Sequence, residues 1–246
     1  MNFRIDRRSA LMTSAALAAS TMMPAWAQDK PTLRFAAVFS DKDIRADMMR
    51  MLAKDVEGDF KIEPFLGGTL FKQGTELVAL QRDNLELGNV GPQDISKQVP
   101  AWSVLTSAYT FRDANHVLAF FASPLGAEMK KQAEDQLKIK ILGPTFYGTS
   151  HLVAFDVLCM NLKTWDAMGP VKRNNFMAAV DKALGWSVNE HLKREAELVD
   201  GFKEQGLEIN TPDIAAFRTY AQKVYLASDE AKSWAPGILD KILAIK

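Results

Sequence analysis

Three short apolar segments, each followed by a polar turn and a helix-like pattern, constrain the fold of this chain most strongly. The segments are TLRFAAVF (32–39), FKIEPF (60–65) and LGNV (87–90). Between the first two, apolar residues from Ile44 to Val56 recur at helical spacing. Strands that alternate with helices predict a parallel sheet with right-handed crossovers. The chain after residue 27 is therefore predicted to begin with an α/β lobe.

The later sequence predicts two further strands and a helical end. In order, we expect a strand or extended loop at 101–111, helices at 113–121 and 124–137, strands at 138–147 and 151–160, and mostly helix from Val171 onward. A ladder of apolar residues at every fourth position predicts one buried helical stripe: Phe176, Val180, Leu184, Val188 and Leu192.

The first 27 residues have the pattern of an export signal. Three arginines precede an uncharged stretch at 10–23, and Ala25-Trp26-Ala27 forms a small-x-small cleavage site. The pair Arg7-Arg8 is typical of a twin-arginine signal and is also compatible with the general secretory route. We therefore expect a cleaved signal peptide at 1–27 and a periplasmic location.

Charge and cysteine content exclude several classes of protein. The chain has 30 basic and 30 acidic residues; removing residues 1–27 takes away three arginines and one aspartate, which leaves 27 and 29. This near-neutral balance argues against a general nucleic-acid binder, which needs a basic face. Cys159 is the only cysteine, so no disulfide can form within the chain.

Few residue patterns in the sequence indicate catalysis. His116, His151 and His191 lie far apart and have no metal-ligand spacing, and His191 is expected on a helix surface. No GxSxG elbow or phosphate-binding loop is present, and Cys159 lies within an apolar segment. We therefore predict no catalytic residue, no metal site and no cofactor.

Several stretches occur in the same order as in a known family. They are residues 65–70 (FLGGTL), 76–78 (ELV), 85–88 (LELG), 109–113 (YTFRD), 160–165 (MNLKTW) and 206–217 (GLEINTPDIAAF). Together, behind a leader, they make the chain resemble the solute-binding proteins of TRAP (tripartite ATP-independent periplasmic) transporters. The resemblance runs from Leu33 to about Phe146 and resumes at Met160.

The resemblance implies a periplasmic-binding-protein-like (type II-like) α/β sandwich with two lobes. Such a protein closes over a small organic acid, a carboxylate, and delivers it to the membrane permease subunits of a TRAP transporter. It performs no chemistry. The implied organisation is a signal peptide (1–27), a first α/β lobe (28–147), and a remnant of the second lobe with C-terminal helices packing on the first (148–246).

One departure from the family is large. A long segment that builds much of the second lobe, and that carries an arginine for the substrate carboxylate, has no counterpart after about residue 152. Ser150 stands where some relatives have another carboxylate-binding arginine. We therefore expect an intact first lobe and a truncated second lobe. Residues 153–160 then either pair with a strand of the first lobe or expose a sheet edge.

Ligand-binding residues are expected where strands end, because binding clefts of open α/β sheets lie there. Helix N-termini at these ends also offer N–H groups to an anion. The alternative roles are helix capping for Ser40 and Asp41, a solvated charge for Lys72, and packing for Tyr147. The candidate ligand-binding residues are Ser40, Asp41, Lys72, Gln93, Phe146, Tyr147 and Ser150.

Two other functions stay open at this point. A shortened relative that has lost solute capture would act as an interaction protein or be a non-functional product. A periplasmic enzyme would need a nucleophile or metal site that the sequence does not reveal. Arg112 is expected to be structural and to pair with Asp113 or a helix end. The tryptophans Trp102, Trp165, Trp186 and Trp234 are expected in packing roles.

Overall fold

The computed structural model describes residues 30–150, 152–210 and 212–246. The expected signal peptide at 1–27 lies outside the described residues. Thr32–Lys246 form one compact unit. Its strands are β1 (Thr32–Ala36), β2 (Lys61–Phe65), β3 (Leu87–Val90), β4 (Ile139–Ser150) and β5 (Leu152–Asn161).

The five strands form one mixed sheet in the order β2-β1-β3-β5-β4. Strand β1 runs parallel to both β2 and β3, as the alternation of strands and helices predicted. Strand β5 runs antiparallel to β3 and β4, with Leu87 opposite Met160 and Val90 opposite Val157. The expectation that residues 153–160 pair with a first-lobe strand is therefore confirmed.

Helices cover both faces of the sheet. They are α1 (Ile44–Asp55), α2 (Glu76–Gln81), α3 (Pro92–Ser96), α4 (Ala114–Ala122), α5 (Pro124–Leu137), α6 (Leu162–Ala167), α7 (Pro170–Glu204), α8 (Ile214–Leu226) and α9 (Ile238–Leu243), with 3₁₀ helices at Pro100–Thr106 and Glu230–Ser233. Within the described residues, no helix is both long enough and apolar enough to cross a bilayer.

The expected strand or loop at 101–111 is wrong for its first half, which is a 3₁₀ helix. Pro100 starts this helix, where its missing N–H leaves no bond unmade. Trp102 is fully buried and its indole Nε1 donates to the Met129 carbonyl at 3.1 Å. A short helical turn places Trp102 and Leu105 on the same inner side, which an extended segment could not do.

Two apolar cores lie on opposite faces of the sheet. One contains Trp102 and Phe120 and is covered by helices α2 to α5. The other contains Phe35 and Met48 and is covered by α1 and the first half of α7. The predicted stripe on α7 is confirmed for Phe176, Val180, Leu184 and Val188, which are buried, while Leu192 is half-buried and packs against the cluster that contains Val188.

The C-terminal helices are tied to this body by Arg112. Its Nη1 donates to the Leu243 carbonyl at 2.9 Å and its Nη2 to the Ile245 carbonyl at 2.6 Å. These carbonyls belong to the end of α9, so the expected structural pairing with a helix end is confirmed. The fold is the expected α/β sandwich with a helical C-terminus, and the described residues contain one sheet rather than two. The domain division at 147/148 stays a prediction.

Candidate functional site

A charged cluster lies where β1 and β3 end and β4 and β5 pass beside them. We call it the Arg45 cluster; it consists of Phe39, Asp43, Arg45, Asn89, Thr145, Tyr147 and Asp156. Asp43 is the N-cap of α1, and its Oδ1 accepts a hydrogen bond from the Arg45 N–H at 2.8 Å. Capping thus fixes Arg45 in the first turn of the helix.

Arg45 is paired with two carboxylates. Its Nε and Nη2 donate to the two oxygens of Asp43 at 2.9 and 2.8 Å, and its Nη1 donates to Asp156 Oδ2 at 3.3 Å. The Arg45 side chain is only 12% exposed. These bonds use three of the five guanidinium N–H groups. Among the described residues, the other two N–H groups have no acceptor and can bind a further one.

Two aromatic rings enclose the same guanidinium. Phe39, just after β1, and Tyr147, on β4, each lie 4.4 Å from the Arg45 carbon Cζ, measured to the ring centroid. Cation–π attraction from both rings holds the guanidinium plane in place. Phe39 is buried, whereas Tyr147 is 38% exposed. Of the two rings, Tyr147 is therefore the one that faces solvent.

A buried polar chain connects three strands behind Arg45. Asn89 on β3 donates from Nδ2 to Asp156 Oδ2 at 2.6 Å. Thr145 on β4 donates from Oγ1 to Asn89 Oδ1 at 2.7 Å. Thr145 lies opposite Asp156 in the strand register, which brings the members together. Because Thr145, Asn89 and Asp156 are linked by hydrogen bonds, this network fixes the orientation of the Asp156 carboxylate.

The two aspartates of the cluster differ in their acidity. Burial raises the pKa of Asp156 to about 6, although the charge of Arg45 and the hydrogen bond from Asn89 oppose this shift. Burial also acts on Asp43, but hydrogen bonds from Arg45 outweigh it and lower its pKa. Asp43 thus keeps its charge across the physiological range, whereas Asp156 takes up a proton near pH 6.

His191 lies buried beside the cluster rather than on a helix surface. It is 8% exposed, and its Nδ1–H donates to the Ser187 carbonyl at 2.7 Å. Its ring meets the edge of Phe146 with centroids 5.9 Å apart. The expected surface position is wrong because α7 lies across β4 at this point. Burial lowers the pKa of His191, which favours the neutral imidazole.

The candidate residues from the sequence are only partly brought together. Tyr147 contacts Arg45, and Phe146 packs against His191. Ser40, Lys72 and Gln93 are exposed in turns or at a helix start. A role in ligand binding stays a prediction for all of them. Ser150 lies on β4, but its side chain lies outside the described residues.

The expectation that Ser40 or Asp41 caps α1 is wrong, because the N-cap of this helix is Asp43. The tripeptide Ser40–Lys42 forms a turn in which the Asp43 N–H bonds to the Ser40 carbonyl at 3.1 Å. This turn delays the helix by two residues. Asp41 instead forms an exposed ion pair with Arg50.

Sequence reasoning missed six members of the cluster: Phe39, Asp43, Arg45, Asn89, Thr145 and Asp156. Two of them carry a signal that could have found them. Asn89 is the polar residue of the buried segment LGNV, and Asp156 is the one charged residue of LVAFDVLCMN. A polar group in a buried strand needs a partner, and such partners often belong to a site.

The fold and the cluster together define a class of protein. A mixed α/β sheet covered on both faces is a fold in which ligand clefts lie at the ends of strands. The chain belongs to the bacterial extracellular solute-binding protein family 7, whose profile matches residues 40–146 and 144–231. The two matches overlap at residues 144–146 in β4, close to the junction expected near residue 152. The resemblance to TRAP solute-binding proteins is thereby confirmed.

Individual relatives agree with this assignment. A solute-binding protein of Sulfitobacter sp. (strain NAS-14.1) is 24% identical over 152 residues, which cover 60% of this chain and 46% of the relative. The chain thus spans about half the length of this curated relative. The family is one of solute-binding proteins and is not an enzyme family.

Solved structures show the same fold. A TRAP periplasmic solute-binding protein from Roseobacter denitrificans with bound 3-deoxy-D-manno-oct-2-ulosonic acid has a TM-score of 0.82 at 24% identity, covering 89% of this chain and 100% of that one. Another from the same organism, with bound β-D-glucuronate, has a TM-score of 0.73 at 17% identity, covering 88% and 100%. A third, from Xanthobacter autotrophicus Py2 with bound β-D-galacturonate, has a TM-score of 0.70 at 14% identity, covering 87% and 100%.

Proposed function

We propose that this chain is the periplasmic solute-binding subunit of a TRAP-type transporter and binds a small organic acid at the Arg45 cluster. Export follows from the signal-like leader, and the acid is then delivered to membrane permease subunits. Family membership supports the class of function. The sugar acids bound to the three similar structures support the class of ligand.

Arg45 is the observation that carries the proposal. A guanidinium binds a carboxylate through two parallel hydrogen bonds, and the strength of this contact rises when water is excluded. Arg45 is nearly buried, is held between two rings, and keeps two N–H groups beyond those that it gives to Asp43 and Asp156. It would serve in place of the family arginine that the missing segment carries.

Asp43 and Asp156 determine where on Arg45 a ligand carboxylate can bind. Asp43 holds Arg45 with two short bonds, whereas Asp156 holds it with one longer bond of 3.3 Å. We infer that a ligand carboxylate takes the position beside Asp156. Protonated Asp156 would then donate a hydrogen bond to the ligand instead of repelling it.

The sequence candidates complete the proposed site. Tyr147 is the solvent-facing ring of the cluster and would cover a ligand. Ser40, Asp41, Lys72 and Gln93 lie in or near the turns that follow β1, β2 and β3, where they would meet ligand hydroxyl groups. Phe146 is buried next to Tyr147 in the sequence of β4, and Ser150 lies three residues beyond Tyr147 on the same strand. We propose no catalytic step and no cofactor.

Calorimetry and thermal unfolding with the three sugar acids test the proposal. At least one acid should raise Tm, because a ligand that binds only the folded state stabilises it. Arg45→Gln and Arg45→Lys should weaken binding by about 100-fold or more, since breaking a buried charge pair costs about 3–5 kcal/mol. Arg82→Gln, at an exposed position just after α2, is the matched control.

Two outcomes would contradict the proposal in different ways. No binding across a broad panel of acids would favour the second function, a shortened relative that acts as an interaction protein. The exposed apolar surface on α7 and α8 is the observation that favours this alternative. Binding that Arg45→Gln leaves unchanged would keep the receptor function but move the ligand away from the Arg45 cluster.

A further inference from the structure

The end of α7 and all of α8 expose an unusually large apolar surface. Beyond His191, α7 has no buried residue, and α8 has none at all. Ten large apolar side chains in this stretch are 36% to 71% exposed: Leu198, Val199, Phe202, Leu207, Ile209, Ile214, Phe217, Tyr220, Val224 and Leu226. We call this stretch the 198–226 surface.

The 198–226 surface is large enough for a stable interface. At about 200 Å² for each large side chain, ten half-exposed side chains present on the order of 1,000 Å². The largest apolar patch on a typical monomer is about 300–600 Å². A standard interface takes about 800 Å² from each partner. The summed exposed area of these side chains is therefore comparable to what one partner contributes to an interface.

Helix α8 turns polar groups toward the body of the protein. Arg218 Nε and Gln222 Nε2 are buried and have no hydrogen-bond partner among the described residues. Tyr225 of α8 packs against the core, whereas Ile214, Phe217, Tyr220 and Val224 are left exposed to solvent. A helix packed on its own chain normally turns its apolar stripe inward.

We propose that two copies of this chain associate through the 198–226 surface, with their α8 helices antiparallel about a two-fold axis. The exposed residues Ile214, Phe217, Tyr220 and Val224 are separated by three, three and four positions. This spacing reads almost the same in both directions. Two antiparallel helices therefore place Phe217 opposite the partner's Tyr220 and Ile214 opposite the partner's Val224.

Charge complementarity supports the same pairing. Asp213 at the start of α8 and Lys223 near its end are both exposed, and neither forms an ion pair within the described part of the chain. In the antiparallel arrangement, Asp213 lies close to the partner's Lys223 at both ends of the helix pair. A two-fold interface must be complementary to itself in this way.

Sedimentation velocity tests the association. The sample is the protein purified after expression of the complete sequence. We expect a dimer at micromolar concentration. Phe217→Asp and Tyr220→Lys should each raise the dissociation constant about 100-fold or more, because a symmetric dimer loses a central aromatic contact twice. Circular dichroism and Tm should show that both variants stay folded, since both positions are exposed.

Mixing the two variants tests the pairing itself. Asp at 217 of one chain would face Lys at 220 of the other, while Tyr220 and Phe217 of the same two chains stay in contact. The mixture should therefore dimerise again. Val171→Asp, which charges a 70% exposed apolar residue at the start of α7, is the control and should leave the dimer intact.

Three results would overturn the proposal. They are a monomeric wild type up to about 100 μM, a dimer that both variants leave unchanged, and a dimer that Val171→Asp dissociates equally well. A wild type that is monomeric alone but binds another protein through residues 198–226 would assign the surface to that partner. Variants that dissociate without recovering on mixing would reject the antiparallel register.

Discussion

Arg45 Nη1 and Asp156 Oδ2 are 3.3 Å apart and connect positions separated by 111 residues in the chain. Arg45 belongs to the first βα unit, whereas Asp156 lies on β5, beyond the junction expected near residue 152. The ion pair therefore joins the two parts of the chain that the family profile matches separately. It also places a strongly perturbed carboxylate beside the proposed ligand-binding guanidinium.

Asp156→Asn should make stability less sensitive to pH. The folded-state pKa of Asp156 is raised to about 6, so the folded protein binds the proton more tightly than the unfolded chain. Its contribution to stability is present at low pH and is lost as pH rises through 6. The shift corresponds to at most about 3 kcal/mol. The free energy of unfolding should be measured in urea at pH 4.5 and 7.5. Relative to wild type, the value for the variant should be about 1–3 kcal/mol more favourable at pH 7.5 than at pH 4.5.

Asp43→Asn should show the opposite trend. The pKa of Asp43 is lowered because hydrogen bonds from Arg45 outweigh the effect of burial. Its stabilising contribution is therefore present above the ordinary aspartate pKa and is lost as pH falls through the lowered value. In urea unfolding, wild type should be more stable than the variant at neutral pH, and this difference should disappear in acid. A common trend for both variants would mean that the two carboxylates are not held differently by Arg45.

Binding of an acid at the Arg45 cluster should strengthen as pH falls from 7.5 to 5. Above pH 6, ionised Asp156 competes with the ligand carboxylate for Arg45 and repels it. Below pH 6, Asp156 is neutral and can donate to the ligand. We expect the dissociation constant to fall about tenfold or more, in proportion to the protonated fraction. Calorimetry on Asp156→Asn should give tight binding at both pH values, whereas an equal pH response in the variant would argue against this role.

The strands could be predicted from the sequence because each combines apolar residues with clear turn signals. Residues 153–160 are an example: their apolar pattern predicted a strand, and the missing segment suggested a partner in the first lobe. The 3₁₀ helix at Pro100–Thr106 was missed because its buried positions reflect the contacts of Trp102 with Met129, which lies on another helix. Local pattern carries no information about such a contact.

The site was harder to predict because its members come from four separate elements. Asn89 and Asp156 are distant in sequence, and each is a single polar residue in an otherwise apolar strand. Their meaning depends on the antiparallel pairing of β3 with β5, which sequence spacing does not reveal. Tyr147 was expected near the site because it ends a recognisable strand motif, but its contact with Arg45 depends on where α1 begins.

Cys159 should be inert in the folded protein. It is fully buried between β3 and β4, and burial raises the pKa of its thiol well above the ordinary range, with the charges of Glu134 and Asp156 adding to the effect. A thiol reagent at pH 8 should label no cysteine in the native chain and one in denaturant. Ser40→Cys, at an exposed position, should accept one label without denaturant. Rapid labelling of native wild type would place Cys159 at an accessible surface.

Gly126→Ala should be strongly destabilising, although glycine is normally a poor helix residue. A Cβ at this position would lie 2.0 Å from the Phe120 carbonyl oxygen and 2.8 Å from its carbon, both backbone atoms. Relief requires α4 and α5 to separate where they join at Ser123, whose hydroxyl accepts from the Gly126 N–H at 3.1 Å. We expect a loss of about 1–3 kcal/mol or more.

Gly185→Ala is the matched control for this clash. Gly185 also lies within a helix, α7, and a Cβ there would meet nothing within 4 Å. Alanine should then stabilise the helix by up to about 1 kcal/mol through its higher helical propensity. Urea unfolding should therefore move the two variants in opposite directions. If both gained stability, the backbone of Phe120 would have to lie further from Gly126 than the structure places it, and the packing of α4 against α5 would be looser.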